Sequence, residues 1–121
     1  MAPEVLLGHP FDASSDVYSF AITAWEVFCK TEAFSDFNNF GTFKRAVCMR
    51  DVRPPLKPEM PKRFQVFKSW AVSKRKIALI FFISQELLER CWHKDAAMRP
   101  KFGEIITILD EIMIDVAIKV V

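Results

Sequence analysis

The sequence predicts an all-α domain, and this prediction rests mainly on two stretches. Residues 17–28 are apolar on nearly every side of a helix, and the segment from residue 102 onward repeats its apolar residues at helical spacing. No stretch shows the alternation of apolar and polar residues that is typical of a strand. We therefore expect a central buried helix with about three further helices packed against it.

The beginning of the chain is expected to be a loop. Pro3, Gly8 and Pro10 interrupt any helix within residues 1–13. The polar residues 14–16 follow, and they offer capping side chains and a negative charge for the start of a helix. The first long helix is therefore expected to begin there.

Residues 17–28 are expected to form the central helix. A helix that is apolar all round lies either in a protein core or in a membrane. A membrane span needs about 20 residues, so this shorter segment is expected in the core, with Trp25 as one of its anchors.

The middle of the chain combines a weaker helical pattern with a proline-rich connector. Residues 34–49 repeat apolar residues at helical spacing, although the start of the helix is not defined by the sequence. Residues 53–61 cannot be helical because of their prolines. Pro55, Pro58 and Pro61 lie three residues apart, as in a polyproline ligand of an SH3 domain. An ordinary connector between helices has the same composition.

The last helix is predicted from a single apolar stripe. Its members are Phe102, Ile105, Ile106, Leu109, Ile112, Met113 and Val116. A stripe of this kind is typical of a helix that faces a core, and the alternative is a face that binds a partner.

The segment before that helix contains a suspected insertion at about residues 66–85. If Gln65 is joined directly to Glu86, one continuous apolar helix face results. That face consists of Phe64, Leu87, Leu88, Cys91 and Trp92. A retained in-frame intron and a genuine insertion of about 20 residues both explain the interruption.

Composition excludes several classes of protein. Seventeen basic and fifteen acidic residues give a net charge of +2, too small to predict nucleic-acid binding. Three cysteines without a short spacing predict neither a disulfide framework nor a zinc site, but buried thiols. No signal peptide and no membrane span are expected, and the expected location is the cytoplasm.

A series of short motifs gives the chain a family resemblance. In order, these are Met-Ala-Pro-Glu, Asp-Val-Tyr-Ser-Phe, Trp-Glu-Val, Ala-Val-Cys, Arg-Pro-Pro, Cys-Trp and Arg-Pro-Lys-Phe. The chain resembles a protein kinase domain from its Ala-Pro-Glu motif onward, and most closely the tyrosine-kinase-like group with its Raf-like serine/threonine kinases. The resemblance implies a partial kinase domain over residues 1–118, namely the C-terminal half of the C-lobe, with the N-lobe absent.

The resemblance also assigns structural roles to individual residues. Glu4 and Arg99 would form a buried ion pair that ties the activation segment to the last helices. Asp16 resembles the aspartate that anchors the catalytic loop of the family. Ala2 and Pro3 would lie beside the region that binds the substrate residue after the phosphorylation site.

The motifs that perform kinase chemistry do not occur in this sequence. Gly8, Gly41 and Gly103 form no glycine-rich loop, no His-Arg-Asp tripeptide occurs, and Asp36-Phe37 is followed by asparagine. We therefore expect no catalytic, cofactor-binding or metal-binding residue, although intact relatives use ATP and magnesium to phosphorylate serine and threonine in proteins. The chain alone is expected to be inactive. The alternative is a non-catalytic helical interaction module or pseudokinase remnant that docks other kinases.

Overall fold

The computed structural model describes residues 1–57 and 85–120, with side chains described as far as residue 111. Within these ranges the elements are α1 (Pro3–Leu6), α2 (Ala13–Cys29), α3 (Phe40–Met49), α4 (Gln85–Cys91), a 3₁₀ turn (Ala96–Met98) and α5 (Phe102–Val120). No strand occurs in the described residues, so the predicted all-α class is confirmed.

The expected loop at the start of the chain is wrong in one part, because Pro3–Leu6 forms the short helix α1. Pro3 occupies the first helical position, where a backbone N–H would have no partner in the helix and the fixed φ of proline already suits helical geometry. The proline that was expected to prevent a helix therefore begins one.

Helix α2 begins earlier than the sequence predicted, because its N-cap is Asp12. The Asp12 carboxylate accepts a hydrogen bond of 3.0 Å from the backbone N–H of Ser15. The Ser15 hydroxyl in turn accepts one of 3.3 Å from the N–H of Asp12. This reciprocal capping box satisfies two N–H groups that would otherwise lack a partner at the helix start.

The predicted central helix is present, and its burial is one-sided among the described residues. Val17, Tyr18, Ala21 and Trp25 are almost fully buried, whereas Val27 on another side of the helix is exposed. The buried side packs against α4. The core there is completed by Ala2, Leu87, Leu88, Cys91, Trp92 and Ile105.

Helix α3 begins at Phe40 because Asn39 caps it. The Asn39 side chain accepts a hydrogen bond of 2.7 Å from the N–H of Thr42. The other end of α3 packs against α1 in a second small cluster of buried residues, formed by Leu6, Val47 and Cys48.

The connector after α3 has no regular secondary structure over residues 51–57, as the prolines predict. It is fixed to α2 by the indole N–H of Trp25, which donates a 2.8 Å hydrogen bond to the carbonyl of Pro55. Pro58 and Pro61 lie outside the described residues, as does the suspected insertion up to residue 84.

The last helix is present, but its predicted stripe does not face the core as a whole. Ile105 is 2% exposed, whereas Ile106 is 56% exposed and Phe102 37%. Successive residues of a helix point about 100° apart, so Ile105 and Ile106 cannot both point into one narrow contact. Phe102 instead forms an edge contact with the ring of Phe20, with 6.0 Å between ring centroids. Ile112, Met113 and Val116 lie beyond the side chains that are described.

Candidate functional site

The structure brings Glu4 and Arg99 together in an ion pair. Two parallel hydrogen bonds join them, from Nη1 to Oε1 at 2.7 Å and from Nη2 to Oε2 at 2.9 Å. The Arg99 side chain is fully buried, and the Glu4 side chain is 23% exposed. This two-pronged geometry is the strong arrangement that a planar guanidinium makes with a carboxylate.

Arg99 also links two further segments to the pair. Its Nη1 donates to the backbone carbonyl of Ser14 at 3.0 Å, and its Nε donates to the carbonyl of His93 at 2.8 Å. The Ser15 hydroxyl lies 3.1 Å from Oε1 of Glu4 and donates to it. One guanidinium thus fixes α1, the first turn of α2 and the segment after α4 to one another.

The charge of Glu4 is stabilised by these contacts. The side-chain hydrogen bond from Arg99 is the main reason why the pKa of Glu4 is lowered, and partial burial opposes it. The carboxylate is therefore the form that the folded chain favours.

The ring of Tyr18 lies beside this ion pair and contacts two arginines. The guanidinium carbons of Arg53 and Arg99 lie 5.1 and 5.2 Å from the ring centroid, within cation–π range. Burial raises the pKa of Tyr18 to about 12, so its hydroxyl stays protonated. That hydroxyl is buried and has no hydrogen-bond partner in the described part of the chain.

Arg53 stands in the Arg-Pro-Pro motif, to which the sequence analysis gave no structural role, yet its guanidinium binds three backbone carbonyls. Its Nε donates to the carbonyl of Trp92 at 2.9 Å, and its Nη1 donates to Val52 at 2.9 Å and to Val47 at 3.3 Å. Its Nη2 lies 2.8 Å from a carboxylate oxygen of Asp51. Besides that motif, a signal in the sequence was its place between a helix and two prolines, where carbonyls at the helix end lack partners and need donors.

The other predicted site residues occupy separate places. Asp16 is exposed in the first turn of α2, and its backbone N–H donates to the carbonyl of Asp12 at 3.2 Å. Ala2 is fully buried in the core beside α2. Pro3 is buried as well, and its carbonyl accepts a 3.5 Å hydrogen bond from the Cys48 thiol.

A surface recess of about 300 Å³ lies between α2 and the start of α3. It is lined by Ala33, Phe34, Phe37, Asn38, Asn39, Phe40 and Phe43. Phe34 stacks edge-on against Phe43 at 5.1 Å, and it does so with a φ of 59°, a left-handed conformation that bulky residues rarely adopt. Asp36 belongs to the loop that carries these aromatic residues, and no hydrogen bond or ion pair among the described residues joins it to Glu4 or Arg99.

Metal-ligating side chains do not cluster in the described part of the chain. It includes no group of three or more histidine, cysteine, aspartate or glutamate side chains that could hold a metal ion.

Comparison with known proteins establishes the class of protein. The family model of protein tyrosine and serine/threonine kinases matches residues 1–77, and the chain belongs to this family. Among the described helices, none combines the length and the apolar character that crossing a membrane requires.

Individual relatives span nearly the whole chain. It is 35% identical over 118 residues to the dual specificity protein kinase shkA of Dictyostelium discoideum. The matched segment makes up 98% of this chain and 19% of the relative. The chain is 36% identical to the dual specificity protein kinase shkC of the same organism, over 98% of this chain and 19% of the relative. The serine/threonine-protein kinase STY17 of Arabidopsis thaliana is 34% identical, over 96% of this chain and 17% of its own length. The chain thus spans about a fifth of the length of these relatives.

Proposed function

We propose that this chain is the C-terminal part of the C-lobe of a protein kinase domain in the tyrosine-kinase-like, Raf-like group. Its role in the whole enzyme is structural. Glu4 and Arg99 hold the end of the activation segment against the last helices, while the ATP-binding and catalytic groups are supplied by other parts of the enzyme.

The observation that supports this proposal is the two-pronged pair between Glu4 and Arg99. It joins the Ala-Pro-Glu motif to the Arg-Pro motif near the other end of the chain, which are the motifs on which the family resemblance rests.

We infer that the whole enzyme transfers the γ-phosphoryl group of ATP, with magnesium, to serine and threonine hydroxyls of proteins. The relatives support this, since their names describe dual specificity kinases and a serine/threonine kinase. The dual specificity of some relatives adds tyrosine as a second acceptor. Asp16, Ala2 and Pro3 would then lie near the catalytic loop and the bound substrate, in a cytoplasmic enzyme.

One experiment tests the proposal on the chain itself. Residues 1–121 are expressed, and binding of ATP with magnesium is measured by calorimetry together with phosphorylation of a generic protein substrate. We expect neither binding nor transfer, with an intact dual specificity kinase as the positive control. Transfer that survives repurification, and that is missing from a mock preparation of the same host cells without this chain, would refute the assignment of a purely structural role.

The spliced transcript provides a second test. Codons for a strand lysine, His-Arg-Asp and Asp-Phe-Gly, in frame with the Ala-Pro-Glu motif, are expected if the chain is part of an active enzyme. A continuous message through residues 66–85 would establish a genuine insertion within the partial domain 1–118, and a spliced-out segment would establish an intron.

A non-catalytic interaction module is the second candidate. The recess with its four phenylalanine rings favours it, because phenylalanines with an exposed member, Phe40, form a place where another protein could bind. A transcript without kinase motifs would support this alternative. Binding of the 55–61 segment to SH3 domains, measured with a peptide, would support a proline-mediated interaction of the same module.

A further inference from the structure

Tyr18 is the place where two separate sets of contacts meet. Its ring is 1% exposed, and the Arg53 and Arg99 side chains over it are 10% and 0% exposed. Cation–π attraction is strongest where water is excluded, so both arginines interact with the ring under favourable conditions. A change in the position of the ring therefore affects both.

The two arginines hold mostly different parts of the chain, although their Nε atoms donate to the consecutive carbonyls of Trp92 and His93. Arg99 binds Glu4 in α1, the start of α2 and His93. Arg53 binds the end of α3, its own connector and Trp92 at the end of α4. None of these hydrogen bonds of Arg53 goes to Glu4 or Arg99. Among the described side chains, the ring of Tyr18 lies in cation–π range of both arginines.

We propose that the ring of Tyr18 couples Arg53 to Arg99, so that Arg53 is a positioning residue for the ion pair between Glu4 and Arg99. Arg53 holds the ring from the side of the connector, and the ring limits where the Arg99 guanidinium can lie. A movement of the connector at residues 51–57 is then transmitted to α1, although no described hydrogen bond joins the connector to α1. The inference concerns the fold and is independent of the proposed kinase function.

The test measures the ion pair directly rather than the stability of the fold. The pKa of the Glu4 carboxyl group is followed by carbon-13 NMR on the whole chain of 121 residues, with E4Q used to assign the signal. In R53Q we expect the pKa of Glu4 to rise by about 0.3 or more, a twofold change in its acid dissociation constant. The control R45Q removes an exposed arginine from α3, and it should leave the pKa of Glu4 unchanged.

Two substitutions of Tyr18 show whether the ring carries the effect. Y18F keeps the aromatic face, so R53Q should raise the pKa of Glu4 in that background as in the original chain. Y18L removes the face, and R53Q should then have no effect on the pKa of Glu4. An unchanged pKa of Glu4 in folded R53Q would overturn the proposal, as would a shift that persists in the Y18L background.

The conservative variant R53K covers the case in which R53Q does not fold. Lysine keeps the charge but loses the planar group that stacks on the ring and binds several carbonyls at once. R53K is expected to raise the pKa of Glu4 by less than R53Q, and again only where residue 18 is aromatic. Circular dichroism and dispersed amide signals show that each variant is folded. An unchanged pKa of Glu4 in folded R53K, or a shift that persists in the Y18L background, would overturn the proposal.

Discussion

The carboxylate of Glu4 and the guanidinium of Arg99 lie face to face across 95 residues of sequence, joined by hydrogen bonds of 2.7 and 2.9 Å. Their burial is unequal, because Arg99 is fully enclosed while Glu4 reaches solvent. Removing Glu4 therefore leaves a buried cation without its counter-ion, which is the costly way to break such a pair.

We predict that E4Q lowers the free energy of unfolding by about 3 kcal/mol, the lower end for a broken buried pair. Urea denaturation followed by circular dichroism measures the change. The control E32Q neutralises an exposed carboxylate and should stay within about 0.5 kcal/mol of the original chain. Equal stability of E4Q and E32Q would contradict an energetically important pair.

The acid stability of the fold should depend on Glu4. The pKa of its carboxyl group is lowered below 4.5 in the folded chain, mainly by the hydrogen bond from Arg99. The resulting stabilisation is fully present above the pKa that Glu4 has in the unfolded chain. It is lost as the pH falls through the lower pKa that Glu4 has in the folded chain. The free energy of unfolding should therefore decline as the pH falls below about 5, and less steeply in E4Q.

Asp12 contributes to the same decline. Hydrogen bonds from the Ser14 hydroxyl and from the backbone lower its pKa. In D12N the cap of α2 is kept, because asparagine is an equally good N-cap, while the titration is removed. A pH dependence that is as steep in the E4Q, D12N double variant as in the original chain would show that other groups are responsible.

The end of α2 offers a stabilising substitution. Lys30 adopts a left-handed conformation with a φ of 52°, which places its Cβ close to the backbone. K30G should raise the free energy of unfolding by about 1 kcal/mol, since glycine adopts this conformation without that cost. In K44G the same replacement inside α3 should lower stability by about 1 kcal/mol. The prediction fails if both variants change stability in the same direction.

Thiol chemistry should distinguish the three cysteines. Burial raises the pKa of Cys91 to about 12, so almost none of it is thiolate at neutral pH. Cys48 is buried as well, whereas Cys29 is half-buried. Mass spectrometry after brief treatment with iodoacetamide should find the label at Cys29 first, and denaturation should make all three react alike. Early labelling of Cys91 would show that the core around α4 opens readily.

Much of the fold followed from short-range patterns in the sequence. The central helix was predictable because residues 17–28 are apolar on nearly every side, and Trp25 and Trp92 are buried as expected of large apolar side chains. The meeting of Glu4 and Arg99 was anticipated only from the order of the family motifs. Nothing local to either residue specifies a partner 95 positions away.

The wrong or missing predictions share a cause. Each concerned a residue whose role is set by its exact position in a helix or by partners distant in the sequence. Pro3 was interpreted as a helix breaker, although at the first helical position it favours a helix. Ile106 was placed on the core face, although it lies about 100° around the helix from Ile105. Arg53 was quoted in the Arg-Pro-Pro motif but given no structural role, because its partners are backbone carbonyls, which carry no residue-specific signal in a sequence.

The hydrogen bond from the Trp25 indole to the Pro55 carbonyl makes Trp25 an intrinsic fluorescent probe of this contact. Indole emission shifts to longer wavelength when water replaces an enclosed environment. Trp25 is buried at the place where the connector crosses α2, so its emission reports whether the connector is seated on that helix. Attachment of the proline-rich segment can thus be followed in dilute solution without a dye, in a chain whose other two tryptophans are replaced by phenylalanine.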